Sequence, residues 1–160
     1  MNELAGGPPP TSNAPPPPSP FDAGAFLRAR DGGYVPSDDE RQAALYAHLF
    51  AAGASFLTLG IGLAVLAPYL AVVITKQKGP FLLFHVNQAA IYQGAVSIVS
   101  LSLGLTGMMC CAPIFLLPVS WLILGAGYPI YVGLRAQDGL WEEYLFVGAK
   151  VLRDWRPFFT

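Results

Sequence analysis

Between Ala44 and Leu134 the chain has no aspartate, no glutamate and no arginine, and its only charges there are Lys76 and Lys78. Soluble domains are roughly a quarter charged, so a stretch this long without acids cannot clothe a core in polar surface. It reads as membrane sequence. Other absences narrow the function. The only cysteines, Cys110 and Cys111, are adjacent, which excludes the spaced disulfide framework of a small secreted domain. There is no Gly-x-Ser-x-Gly elbow, no His-Glu-x-x-His helix, no phosphate loop and no dinucleotide fingerprint. No pair of carboxylates lies inside the apolar stretch to couple protons. The chain is therefore expected to be non-enzymatic and to need no cofactor. No block is basic enough for nucleic acid, because the three bases of residues 1 to 43 stand among six acids and the last 26 residues carry four of each.

What is present falls into three parts. Residues 1–36 are rich in Pro, Gly, Ser and Ala, with proline runs at 8–10 and 15–18, and are expected to be a disordered cytoplasmic tail with polyproline II tendency. A solvated tether is the plain reading of that composition, and a ligand for an SH3- or WW-type groove is the other. Phe21, Phe26 and Leu27 are expected to touch the membrane surface. The tail lacks the basic start and continuous apolar run of a secretory signal, so the first membrane segment is expected to act as the insertion signal.

Residues 37–135 form the expected helical membrane domain. Ser37-Asp38-Asp39-Glu40 is a capping box, with acids suited to the positive end of a helix dipole. From Ala44 to Thr75 a single helix would be ~48 Å long against a hydrocarbon core of ~30 Å. Gly60 and Gly62 offer a break, and Pro68 offers a kink. With a tight turn there, every basic residue falls on one side of the membrane, as the positive-inside rule asks. Four passages are expected, at about 43–59, 62–76, 81–104 and 113–135, with both termini cytoplasmic in a bacterial inner membrane; a re-entrant first hairpin satisfies the same rule. Gly79-Pro80 restarts the third helix. Pro113, Pro118 and Pro129 should bend the fourth, their freed carbonyls finding other donors. Residues 136–160, with apolar groups at helical spacing from Trp141, read as an amphipathic interfacial helix that sets Trp141, Tyr144 and Trp155 at headgroup depth, or as a cap packed over the bundle ends.

The polar residues of the third helix form a stripe. Gln88, Tyr92, Gln93 and Ser100 all fall within about 80° of His85 at 100° per residue, whereas Asn87 points the other way and is assigned to the headgroup boundary. A buried amide without a partner costs roughly 4–8 kcal/mol on a hydrocarbon scale, so Gln93 must face protein or water. Inter-helix hydrogen bonding is the structural reading and a polar pathway for a small transporter or channel component the functional one. His48 lies at a depth similar to that of His85, so the two are expected to be able to meet. Two histidines with no nearby acid or cysteine do not make a metal site. Met108-Met109-Cys110-Cys111 offers soft sulfur donors, and a loop end of polarizable apolar residues explains it as well.

Ala47-His48-Leu49, Lys78-Gly79-Pro80-Phe81 with Phe84-His85 and Gln88-Ala89, Gln93, and Arg135-Ala136 with Asp138-Gly139 resemble a family of small bacterial multi-pass membrane proteins. That family carries an uncharacterised domain and is similar to the twenty-kilodalton membrane subunit of the chloroplast inner-envelope protein translocon. The resemblance covers about Arg41 to Arg153. It implies a polytopic helical bundle and a subunit or scaffold of a membrane assembly, possible work in protein translocation or insertion included. The lipid bilayer is one partner; other proteins or a second copy in the membrane are the others. Tyr144 stands where that family often has proline, and the Pro-rich tail is additional.

Overall fold

The structure, a computed structural model, describes residues 24–58, 62–110 and 116–154. The proline runs, Phe21, Gly60, Cys111, Pro113 and Trp155 lie outside these residues, and so do the expectations that rest on them. The described chain is helical and contains no strand. In order it forms α1 (Ala25–Asp31), α2 (Asp38–Leu57), a 3-10 turn (Leu63–Val65), α3 (Tyr69–Thr75), α4 (Pro80–Cys110), α5 (Leu116–Ser120), a π-helical segment (Trp121–Gly127), α6 (Tyr128–Gln137) and α7 (Gly148–Asp154). The helix α1 lies inside the segment expected to be disordered. Its Phe26 is buried and packs 6.1 Å from the ring of Phe84, so the start of the folded unit lies upstream of residue 37.

Helix α2 starts where its cap says. Ser37 is extended, and its Oγ accepts the Glu40 N–H at 3.2 Å. The helix presents a face of small residues, Ala43, Ala44, Ala47, Ala51, Ala52 and Ser55, all buried. With no bulk on that face, neighbouring backbones approach closely, as in membrane helix pairs. Helix α6 answers with Gly133, where a Cβ would stand 2.8 Å from the Cβ of His48. The α2–α6 contact is therefore glycine on one side and alanine and histidine on the other. Between residues 62 and 76, where one apolar passage was expected, the chain forms the short 3-10 turn and then the seven-residue α3. Lys76 ends α3 in the left-handed region at φ 58, a C-terminal stop that lets the chain turn toward Pro80.

Among the described residues two stretches are long and apolar enough to cross a membrane: Pro80–Met108, of 29 residues, and Leu116–Gln137, of 22. The second runs through α5, the π-helical segment and α6. Beyond α6 the chain turns at Gly139, with φ 80. The expected helix from Trp141 is absent: residues 140–147 pack irregularly back against the bundle, and only Gly148–Asp154 is helical. Trp141 sets its ring edge-on to Phe81 at 5.2 Å, and Tyr144 is 1% exposed. The cap reading of this segment therefore describes the structure better than the interfacial helix. Its aromatic side chains find ring contacts and a polar partner in the bundle that a surface helix would not give them.

Candidate functional site

The stripe on α4 turns inward along its whole described length. His85, Gln88 and Gln93 are fully buried, and Tyr92 is nearly so. The histidines do meet, with His48 Nε2 3.0 Å from His85 Nδ1. Around them the C-terminal loop supplies backbone partners. Gln88 Nε2 donates to the Glu142 carbonyl at 2.9 Å, and Gln88 Oε1 accepts the Tyr144 N–H at 3.2 Å. Those two bonds fix which end of the amide is which. The same Nε2, 3.0 Å from His85 Nδ1, then makes that nitrogen an acceptor. His48 must donate to it from Nε2, and its Nδ1 accepts from the Tyr144 hydroxyl at 2.8 Å. A directional chain results: Tyr144 to His48 to His85, with Gln88 as second donor. The remaining nitrogen, His85 Nε2, has no partner in hydrogen-bond geometry, the Leu140 backbone carbonyl being the acceptor it faces.

Deeper along α4, Tyr92 and Gln93 solve a problem that proline creates. Tyr128 N–H already bonds back to Ile123 in the π register. Pro129 has no N–H to continue, which leaves the carbonyl five residues back, Leu124, without its donor, and the return from π to α register leaves the next one, Gly125, without one as well. The Tyr92 hydroxyl donates to Leu124 at 2.9 Å and Gln93 Nε2 to Gly125 at 3.1 Å. On the other side Trp121 Nε1 donates to the Ser55 carbonyl at 2.7 Å. Freed carbonyls satisfied by neighbouring helices are what the prolines were expected to need.

Glu40 carries a role the capping box concealed. Its backbone N–H completes the local cap, but its carboxylate reaches across the chain. Oε1 accepts the Leu82 N–H at 3.0 Å, in the first turn of α4, and Oε2 accepts from the Tyr34 hydroxyl at 2.7 Å. A buried acid at a helix N-terminus satisfies an orphan donor and suits the dipole. Gly79 makes room for it, since a Cβ there would stand 2.0 Å from Oε1. The phenol of Tyr34 is pushed up to about 12, by burial first and then by the bond to Glu40 and its charge. Asn87 also departs from expectation. It is 1% exposed and accepts from the Tyr69 hydroxyl at 3.0 Å, so it faces α3 and not the headgroups.

Of the motif positions, Phe84 packs between Phe26 and Trp141, and Gly79 and Pro80 shape the start of α4 beside Glu40. Tyr144, which its helical spacing from Trp141 had set at headgroup depth, instead completes the histidine chain. Among the described residues no group of three or more histidine, cysteine or acidic side chains is placed to hold a metal ion.

This arrangement defines a small helical membrane protein whose conspicuous polar residues are engaged with one another. Comparison with known proteins makes it specific. The chain belongs to the magnetosome magnetite crystal formation protein family, MamF/MmsF, whose pattern matches residues 39–151. That is a family of small bacterial membrane-associated proteins, as the histidine–glutamine motif implied. Its description names crystal formation and makes no mention of a chloroplast translocon, so translocation or insertion gains no support from the match. No curated protein and no solved structure matches the chain.

Proposed function

We propose that the chain is a non-enzymatic scaffold subunit of a bacterial membrane assembly, with both termini on the cytoplasmic side. The observation that carries this reading is the closure of the α4 stripe: His85, Gln88, Tyr92 and Gln93 all bond to other helices or to the C-terminal loop. A transport pathway would need those groups facing water. The family's name connects such a scaffold with magnetosome crystal formation. With the termini cytoplasmic, the opposite end of the bundle near Met109 carries no charge, and neither does the chain around Gly60. A contribution to crystal formation would then run through organising other membrane components and not through carboxylates presented to the mineral. The test is Gln93→Cys in a chain with Cys110→Ser and Cys111→Ser, reconstituted and exposed to a water-soluble thiol reagent. The scaffold reading expects no reaction in the folded protein; rapid labelling would return the stripe to the transporter alternative.

A further inference from the structure

The two apolar stretches do not share their full length with the rest of the bundle. Three contacts fix the level of the described residues on either limb of the first hairpin. Val65 lies against Gly94, its Cγ2 3.9 Å from where a Cβ would stand. Ser55, near the end of α2, receives the Trp121 indole, and Gln93 reaches Gly125. The last turn of α2 and the 3-10 turn therefore stand level with Gln93 and Gly94. From Gly94 to Cys110, α4 continues for sixteen residues, ~24 Å at 1.5 Å each. Along that length it runs beside the π-helical segment and then α5, with Leu117 3.7 Å from the Cβ position of Gly104. Ile98, Leu101, Leu105 and Met108 are exposed there, and so are Leu57 (83%) and Leu63 (67%) at the end of the hairpin.

Charge places the membrane on this frame. A core of ~30 Å takes about twenty helical residues. Leu117 stands beside Gly104, so a far boundary at Leu116 crosses α4 near Leu105; counted back from there they reach His85, and counted forward from Leu116 they reach Ala136, beside Arg135. Gly133 touches His48, so that boundary cuts α2 near His48. Helix α2 then has nine residues left before it ends at Leu57, ~14 Å or about half the core. The cytoplasmic half thus holds α2, the returning chain, α4 and α6, and the far half holds α4 and α5 with the start of the π-helical segment.

We propose that α2, the 3-10 turn and α3 form a half-depth hairpin, and that the resulting wedge takes as its partner a lipid bilayer convex on its cytoplasmic face. Four segments, each about 10 Å across, occupy one leaflet and two occupy the other. Lipid packs around such a shape with least strain where the crowded leaflet is stretched, the basis of curvature-sensitive insertion. This rests on the cytoplasmic placement of the termini proposed for the scaffold.

The full chain with Cys110→Ser and Cys111→Ser is used for the test, carrying either Leu57→Cys or Met108→Cys with a fluorescent label. Quenching by lipids with nitroxides at defined acyl depths should place the label at 57 near the bilayer centre and the label at 108 near the far headgroups. A label at 57 reached by aqueous quencher from the far side would show a full crossing and overturn the wedge. In phosphatidylcholine–phosphatidylglycerol liposomes of two diameters, protein with Ser37→Cys accessible from outside should be several-fold denser per lipid in the small vesicles. Equal density would overturn the curvature partner. The scaffold reading fails separately: labelling of Ser37→Cys by an impermeant reagent in intact cells would reverse the orientation while leaving the depth measurement standing.

Discussion

The two ends of the molecule are held together by different physics. At the charged end α1, α7 and the loop from Leu140 to Val147 cover the bundle, and the interior is polar: Glu40, His48, His85, Asn87 and Gln88 are all buried. At the other end α4 and α5 have few neighbours among the described residues and present leucine, isoleucine and methionine outward. The first end resembles the core of a soluble domain, where a lost hydrogen bond leaves an unpaired group with no water to take it. The second gains little from helix burial, because lipid is as apolar as the side chains it replaces. Substitutions should therefore be costly at the charged end and nearly silent at the bare one.

The sharpest way to break this contrast is Gln88→Leu. It removes the partner of the Tyr144 N–H and of the Glu142 carbonyl together, and each buried group left unpaired costs roughly 1–3 kcal/mol. Thermal unfolding in mild detergent should show a loss greater than that of Gly133→Val or Gln93→Leu, with Leu105→Ala on the bare end changing little. A comparable loss for Gln88→Leu and Leu105→Ala would mean that the bare end is packed against something in the folded protein. Gly133→Val comes next. A side chain there meets the Cβ of His48, an atom too close to the backbone to swing aside, and crowds the Cδ1 of Leu45, so overpacking of about 1–3 kcal/mol is expected. Gly133→Ala should cost less than valine in the same assay, and equal costs would argue against a steric cause.

Gln93→Leu probes the boundary between the two regimes. Its amide serves the Gly125 carbonyl at the depth where the hairpin ends. Bonds of this kind between membrane helices average about 0.6 kcal/mol and reach about 1.7, so a modest loss with insertion intact is expected. A loss as large as that of Gln88→Leu would extend the soluble-like regime deeper than the structure suggests.

Residues that pair within one helix or one face were legible in the sequence; those that pair across the chain were not. The Ser37 cap, the restart at Gly79-Pro80 and the inward stripe from His85 to Gln93 follow from local chemistry and helical period, and equal depth brought His48 to His85. Glu40 was assigned to its local box because that motif accounts for a glutamate three residues after a serine, and nothing local points to Leu82. Asn87 faces α3, whose course no periodicity of α4 encodes. Tyr144 and Trp141 sit at helical spacing in a segment that is not helical, because tertiary partners outweighed the pattern. The loss of a donor at Pro129 was visible, but which side chains would replace it depended on how α4 lies against α6.

The smallest effect belongs to Tyr34, which ties the segment before α2 to the Glu40 carboxylate at the start of α4. A hydrogen bond to a charged group is strong when buried, but Tyr34 is 37% exposed, so solvent screening should leave about half a kcal/mol or less for Tyr34→Phe. Its signature is pH dependence. The folded chain holds the phenol neutral up to about 12 against an ordinary value of 10.0. A group whose folded value is raised contributes fully below its unfolded value and loses that contribution as the pH climbs through the folded one. The offset in unfolding temperature between the native chain and Tyr34→Phe should therefore hold steady below about pH 10 and close as the pH rises to about 12. An offset that stays constant across that window would mean that the hydroxyl contributes nothing through its proton, and that Glu40 caps α4 without help from the segment before α2.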